Sequence, residues 1–272
     1  MTTDARYNDD LRLAHVLADQ ADAITLARFG AQDLVVDSKP DLTPVTDADR
    51  AVEDMIRSQL AHTRSRDSVV GEERGTSGHA GRQWIIDPID GTKNFVRGVP
   101  VWATLIGLVE DGEVVMGVVS APALKRRWWA AKGQGSFAGT SLFKGRKLSV
   151  SSVAELSDAS LSYSSLDSWL HAERGGEFLR MQSQFWRTRA YGDFWSYMLV
   201  AEGTVDAACE PELELYDMAA LVPIVTEAGG RFTSLRAEEG PWGGNALATN
   251  GLLHERLLRI LDWPGFAASD EE

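Results

Sequence analysis

The sequence predicts a layered fold of mixed α and β structure, and three observations predict it. Strand-like and helix-like stretches alternate in both halves of the chain, and no internal repeat or long linker interrupts them. The 272 residues suffice for one large layered domain or two modest ones sharing a core. Hydrophobic residues at 44% and charged residues at 25% match an ordinary soluble globular protein. Nine Trp supply heavy anchors for a core or an interface.

Taken in order, Leu13, Val16, Leu17, Ile24 and Phe29 recur close to helical spacing and predict a helix from Asp9 to Phe29. A second helix covers Ala51 to Leu60, with Thr46 or Asp47 as its N-cap. Ser68-Val69-Val70 reads as a short buried strand ending at Gly71-Glu72-Glu73, and the small, polar Gly75 to Gly81 as a flexible loop. Gln83 to Ile86 is a strand that meets Asp87-Pro88-Ile89-Asp90-Gly91-Thr92. Trp102 to Val109, Val114 to Ser120 and Arg127 to Ala131 form a meander, with Asp111-Gly112 as the first hairpin turn. The second half carries strands at Leu148 to Ser151, Ala159 to Ser164, Ala207 to Cys209 and Ala246 to Thr249. Its helices lie around Gly175 to Ser183, Gly192 to Glu202, Met218 to Ala228 and Leu252 to Leu261. The expected division is an N-terminal half 1–147, a C-terminal half 148–265 and an acidic, solvated tail 266–272.

The 27 Lys and Arg against 40 Asp and Glu give a net charge of −13, which argues against a nucleic-acid footprint. Arg126-Arg127-Trp128-Trp129 is accordingly a strand with alternating faces and no single-strand binding patch. The sole cysteine, Cys209, allows no intrachain disulfide and reads as a small buried apolar residue in a reducing compartment. Without a basic, apolar leader or a run of about 20 apolar residues, a cytoplasmic protein with no membrane span is expected. The five His show no zinc spacing, and neither a Gly-x-Ser-x-Gly elbow nor a Walker loop occurs.

The densest chemical signal is Trp84-Ile85-Ile86-Asp87-Pro88-Ile89-Asp90-Gly91-Thr92, in which an apolar run drives inward and two carboxylates follow at its exit. Pro88 restricts its own backbone and that of Asp87, and Gly91 permits a tight approach before a helix whose free N–H groups can bind phosphate. Carboxylates beside an anion-binding turn repel the anion unless cations lie between them, and hard oxygen donors favour Mg²⁺. Glu72-Glu73 and Asp217 stand at two further element boundaries and could complete such a shell, although spacing alone does not bring them together.

Gly71-Glu72-Glu73, Asp87 to Phe95 and Tyr216-Asp217-Met218-Ala219-Ala220 resemble, in order and spacing, the three signatures of the inositol monophosphatase family. The middle segment is the specific one, the likeness extends over nearly the whole chain, and Tyr216 departs from the Trp usual there. The resemblance implies an α/β layered (α+β) sandwich stacked as αβαβα, and a metal-dependent phosphomonoesterase with two or three Mg²⁺, for which Mn²⁺ can substitute. It implies one metal on Glu72, Asp87 and the Ile89 carbonyl, and another on Asp87, Asp90 and Asp217. It further implies that Thr92 pairs with Asp47 and, with Glu72, orients the attacking water, that the Gly91 and Thr92 N–H groups hold the phosphate, and that the protein is a homodimer.

For the substrate, a small phosphate ester, Arg189, Asp193 and Glu210 join Asp90 and Asp217 as candidate contacts. The resemblance implies that Glu210 stands where the family has an acidic residue contacting the substrate, and Asp193 where a small or hydroxyl residue is usual. Two carboxylates aimed at the leaving group suit a cationic one better than a neutral polyol. Ser38 to Asp47, Val96 to Trp102 and Ala190 to Phe194 resemble the histidinol-phosphate phosphatases of actinobacteria, which implies histidinol phosphate; inositol 1-phosphate or a broad range of phosphates is the alternative, and a non-catalytic scaffold a remote one. Plainer readings stand beside these: Asp193 paired with Arg189, Glu210 on the rim, Asp47 only a helix cap, Glu73 a solvated neighbour of Glu72, and Lys39 a surface charge or a phosphate neighbour.

Overall fold

The structure, a computed structural model, describes residues 5–40 and 42–261, so the acidic tail lies outside the described residues. From the N-terminus the elements are α1 (Asn8–Arg28), β1 (Val36–Ser38), β2 (Pro44–Thr46), α2 (Asp47–Thr63), β3 (Ser68–Gly71), β4 (Gly75–Ser77), β5 (Arg82–Asp90) and α3 (Thr92–Arg97). There follow β6 (Ala103–Glu110), β7 (Glu113–Ala121), β8 (Arg126–Ala131), β9 (Gly135–Gly139) and β10 (Gly145–Lys147). The remainder is β11 (Ser160–Ser162), α4 (Leu166–His171), α5 (Gly175–Gln182), β12 (Arg187–Arg189), α6 (Asp193–Ala201), β13 (Ala207–Glu210), α7 (Leu215–Met218), α8 (Leu221–Glu227), β14 (Arg231–Thr233), β15 (Ala246–Thr249) and α9 (His254–Leu261). One sheet has the order β10-β9-β8-β7-β6-β5-β3-β4, a second β12-β11-β13-β15-β14, and β1 with β2 forms a small hairpin.

Side-chain alternation along β5 sets the layers. Trp84 and Ile86 point to one face, where they pack with Leu17 of α1 and Ile56 and Leu60 of α2. Ile85 points to the other face and meets Ala219 just after α7. On that face a Cβ at Gly107 or Gly117 would run into Ala219 or Ala220, so glycine lets the α7–α8 backbone lie directly on the sheet. Phe194, Tyr197, Leu221 and Val225 of α6 and α8 then fill the space between the sheets, against Val119 and Trp128 on one side and Ala208, Phe232 and Ala248 on the other. Trp169, Phe178, Leu257 and Leu258 cover the outer face of the second sheet. The layers are therefore α1/α2, large sheet, α6–α8, small sheet, α4/α5/α9, the αβαβα sandwich.

Three expectations are corrected. Residues 75–81 do not form a loop throughout, because Gly75–Ser77 pairs antiparallel with β3 at the sheet edge, where Arg57 donates to the Gly75 carbonyl and the Ser77 hydroxyl. Leu148 to Ser151 is not a strand: Leu148 donates its N–H to Ser136 and Val150 to Ala228, so the segment bridges two layers without pairing along either sheet. The helix expected from Met218 to Ala228 is two short helices, with Asp217 in the first. Arg126 and Arg127 do alternate across β8, and each is paired with carboxylates, Arg126 with Glu202 and Arg127 with Asp19 and Asp22.

Candidate metal and phosphate site

Parallel pairing of β3 with β5 sets Gly71 beside Ile86, and the Glu72 N–H donates to the Ile86 carbonyl at 3.2 Å. Glu72 and Asp87 therefore leave neighbouring strands at the same end. Between Asp87 and Asp90 the register against β6 slips: Asp87 faces Leu105 and Asp90 faces Ala103. Three steps on one strand thus match two on the other, a bulge that turns both carboxylates to the same face. Pro88, which lacks an N–H, sits inside this bulge, and the Thr104 hydroxyl donates to its carbonyl at 2.8 Å. The face is the one that Ile85 shares with α7, so Asp217 meets the pair.

Carboxylate oxygens of Asp87, Asp90 and Asp217 all lie within 4.8 Å of one another. Asp217 is fixed by the Glu214 N–H at 2.8 Å, and Asp90 by the Phe194 N–H at 2.7 Å. Asp87 is 2% exposed, and its buried Oδ1 has no hydrogen-bond partner. Burial and the neighbouring carboxylates push Asp87 and Asp90 well above the usual carboxylate range, and burial together with Glu72 and Glu214 pushes Asp217 up to about 7. Hard oxygen donors packed this closely, one of them orphaned, fit a divalent cation, whose charge removes the repulsion.

Glu72 stands beside this triad, within hydrogen-bonding reach of Asp87. The Lys39 ammonium lies 2.5 Å from Glu72 and 2.7 Å from Glu73. Glu73 is thus not a solvated neighbour: its side chain is 7% exposed, and burial raises its pKa. Lys39 is correspondingly no free surface charge.

One expected contact differs. The Thr92 hydroxyl donates to the Ile89 carbonyl at 3.0 Å, and Asp47 binds the Arg28 guanidinium at 2.9 Å, so each has a different partner from the Thr92–Asp47 pair expected. Thr46, not Asp47, caps α2, in a capping box with the buried Asp49. Gly91, with φ +83°, enters α3, and no side chain caps the first turn at Thr92. A Cβ at Gly91 would crowd the Val101 carbonyl and approach Asp193 Oδ2.

A cleft of about 490 Å³ opens on these groups, lined by Lys39, Glu72, Asp90, Gly91, Thr92, Asp193, Glu210 and Asp217 among others. Asp193 does not pair with Arg189; its carboxylate accepts the Asn94 amide at 2.9 Å and its N–H donates to the Ser164 hydroxyl at 2.7 Å. Arg189, expected at the substrate, is exposed on the edge strand β12, is absent from the cleft lining, and donates to the carbonyl of Thr188. Glu210 is 7% exposed and no rim residue; it accepts from the Tyr197 hydroxyl at 3.1 Å and from Ser164. Burial, and Asp193 after it, push Glu210 up to about 8, while burial pushes Asp193 up to about 6. Two enclosed carboxylates thus stand next to the acidic triad.

The residues missed in the sequence are Asn94, Ser164, Tyr197 and Glu53. Glu53 has a 0% exposed side chain on α2 and accepts the N–H groups of Glu73 and Arg74. A carboxylate on the apolar face of α2, one residue after Val52 and three before Ile56, was the available signal.

Residues 8–262 match the inositol monophosphatase family. A histidinol-phosphatase of Streptomyces coelicolor is 60% identical, covering 94% of this chain and 98% of its own length. A histidinol-phosphatase of Mycobacterium tuberculosis is also 60% identical, with the same coverage. Among solved structures, an inositol monophosphatase from Zymomonas mobilis superposes with a TM-score of 0.83 at 34% identity, covering 94% of this chain and 99% of that one.

Proposed function

This chain belongs to the inositol monophosphatase family, and from that premise we propose that it hydrolyses L-histidinol phosphate to L-histidinol and phosphate, a step of histidine biosynthesis. The observation that carries the substrate is the enclosed pair Asp193 and Glu210 beside Asp90, in a chain 60% identical to two histidinol-phosphatases.

Asp87, Asp90 and Asp217, with Glu72 beside them, would hold the divalent cations. When bound, these supply charge for the phosphate, activation of water and stabilisation of the leaving oxygen. The uncapped first turn of α3, entered through Gly91, offers N–H groups to the phosphate, as the first turn of a helix does for anions. The Thr92 hydroxyl and Glu72 carboxylate stand at the same cleft, where they can orient the attacking water. At its other side Asp193 and Glu210 face the departing alcohol, whose ammonium and imidazole offset their mutual repulsion. Asn94, Ser164 and Tyr197 hold the pair in place.

Mg²⁺ as the resident ion, two or three per site with Mn²⁺ as substitute, belongs to the same reading, as do a cytoplasmic location and a homodimer. The hard oxygen donors support the first and the buried free Cys209 is compatible with the second. Family likeness alone speaks for the homodimer.

Phosphate release from histidinol phosphate and from inositol 1-phosphate, each with Mg²⁺, tests the assignment. A higher kcat/KM on histidinol phosphate is expected; a higher value on inositol 1-phosphate would move the protein to the alternative substrate class.

A further inference from the structure

We infer that Glu53 is a positioning residue for Glu72, and so sets the divalent-cation affinity of a site that its own carboxylate does not enter. The inference rests on the reading above that Glu72 takes part in cation binding. Glu53 projects from the buried face of α2 into the turn that follows β3. Its Oε2 accepts the Glu73 N–H at 2.7 Å, and its Oε1 accepts the Arg74 N–H at 3.0 Å. Oε1 also accepts Arg57 Nε at 2.7 Å, and the same guanidinium reaches the Gly75 carbonyl and the Ser77 hydroxyl. One buried carboxylate therefore gathers the backbone on the C-terminal side of Glu72. On the N-terminal side the Glu72 N–H is held by the Ile86 carbonyl.

Gly71 is part of the same device. A Cβ there would overlap the Glu53 carboxylate, so this glycine is the space through which the buried acid reaches the turn. The carboxylate is suited to this place because it only accepts, and three N–H donors converge on it. A glutamine would turn an NH₂ towards one of them.

Groups that orient metal ligands change affinity by about 10- to 100-fold when removed. The experiment is a direct titration with Mn²⁺ alone, followed by electron paramagnetic resonance, on the full chain without substrate. Glu53→Gln and Arg57→Gln should each weaken binding, Glu53→Gln by about tenfold or more. Glu227→Gln is the control. Glu227 holds a turn of the same kind through the Gly133 and Gly135 N–H groups, both at 2.7 Å, away from the cleft. It should change thermal stability and leave Mn²⁺ affinity as in the parent chain.

Folding of each variant is read from its thermal transition, and Arg57→Gln carries the test if Glu53→Gln does not fold. Wild-type affinity in a folded Glu53→Gln, or in Arg57→Gln where the first does not fold, overturns the inference. An equal loss in Glu227→Gln overturns it too, since general destabilisation then accounts for the effect. Glu72→Gln separates the two layers: unchanged affinity there removes Glu72 from the cation site and takes the inference with it. A loss in Glu72→Gln without one in Glu53→Gln refutes the positioning role alone.

Discussion

The Phe194 N–H donates to Asp90 Oδ2 at 2.7 Å, which ties the first turn of α6 to the exit of β5. Asp193, the neighbour of Phe194, adopts φ +49°, a left-handed backbone unusual for a side chain other than glycine. The same turn thus fixes a carboxylate of the acidic triad and carries Asp193, which lines the cleft and, in the proposed reading, would face the substrate. Asp90→Asn keeps the shape and the acceptor oxygen but removes the charge. It should lower kcat/KM by about 1000-fold or more, about 4 kcal/mol of transition-state stabilisation, with the thermal transition little changed. Steady-state phosphate release measures this, and parent-like activity would remove Asp90 from the metal site.

Substrate choice should follow charge. Asp193→Asn and Glu210→Gln should each reduce kcat/KM on histidinol phosphate by about 10-fold or more, and on inositol 1-phosphate by less. Equal losses on both substrates would show that the pair does not discriminate by charge.

The packing of Gly117 predicts a structural effect with a functional consequence. Gly117→Ala places a Cβ against the Ala220 carbonyl and pushes α7 and α8 from the sheet. Overpacking of this kind costs about 1–3 kcal/mol. Because α7 carries Asp217, cation affinity should fall together with the denaturation midpoint. Unchanged affinity in a destabilised Gly117→Ala would separate Asp217 from this packing.

His254 predicts an acid-sensitive fold. Its Nε2 faces Thr233, whose hydroxyl already donates to the Ser234 carbonyl, so Nε2 donates. Its Nδ1 accepts from Thr249, whose oxygen takes the Gly251 N–H. A neutral ring satisfies every partner, and burial, with Arg231 adding to it, lowers the pKa from 6.5 to about 3. Above pH 6.5 the ring is neutral folded or unfolded. Below that, the unfolded chain takes the proton first, so stability is lost as pH falls from 6.5 towards 3. By pH 4 this amounts to about 3 kcal/mol. His254→Gln should show a shallower acid slope in urea denaturation, and an unchanged slope would contradict the assignment.

Legibility in the sequence varied with how local the cause was. Asp87 and Asp90 stood out because an apolar run, a proline and a glycine frame them, all within nine residues. That they share a face depends on a bulge, which is visible only in the pairing with β6. Asp217 was legible as an element boundary, yet the reason for Ala219 and Ala220 lies on Gly107 and Gly117, about 100 residues away. Glu73 read as solvated because nothing local marks the approach of Lys39 from the β1–β2 connection. Glu53 carries one local mark, its place on the apolar face of α2 beside Val52 and Ile56, but the turn it holds begins 20 residues further on. Arg189 stands only four residues before Asp193 in the sequence, yet it ends the edge strand β12, whereas Asp193 opens α6 and lines the cleft.

Anomalous scattering from crystals of the protein with Mn²⁺ tests the central claim most directly. A peak about 2.0–2.4 Å from carboxylate oxygens of Asp87, Asp90 and Asp217 is expected, and it should vanish in Asp90→Asn. Mn²⁺ bound elsewhere, with these three carboxylates unliganded, would contradict the account.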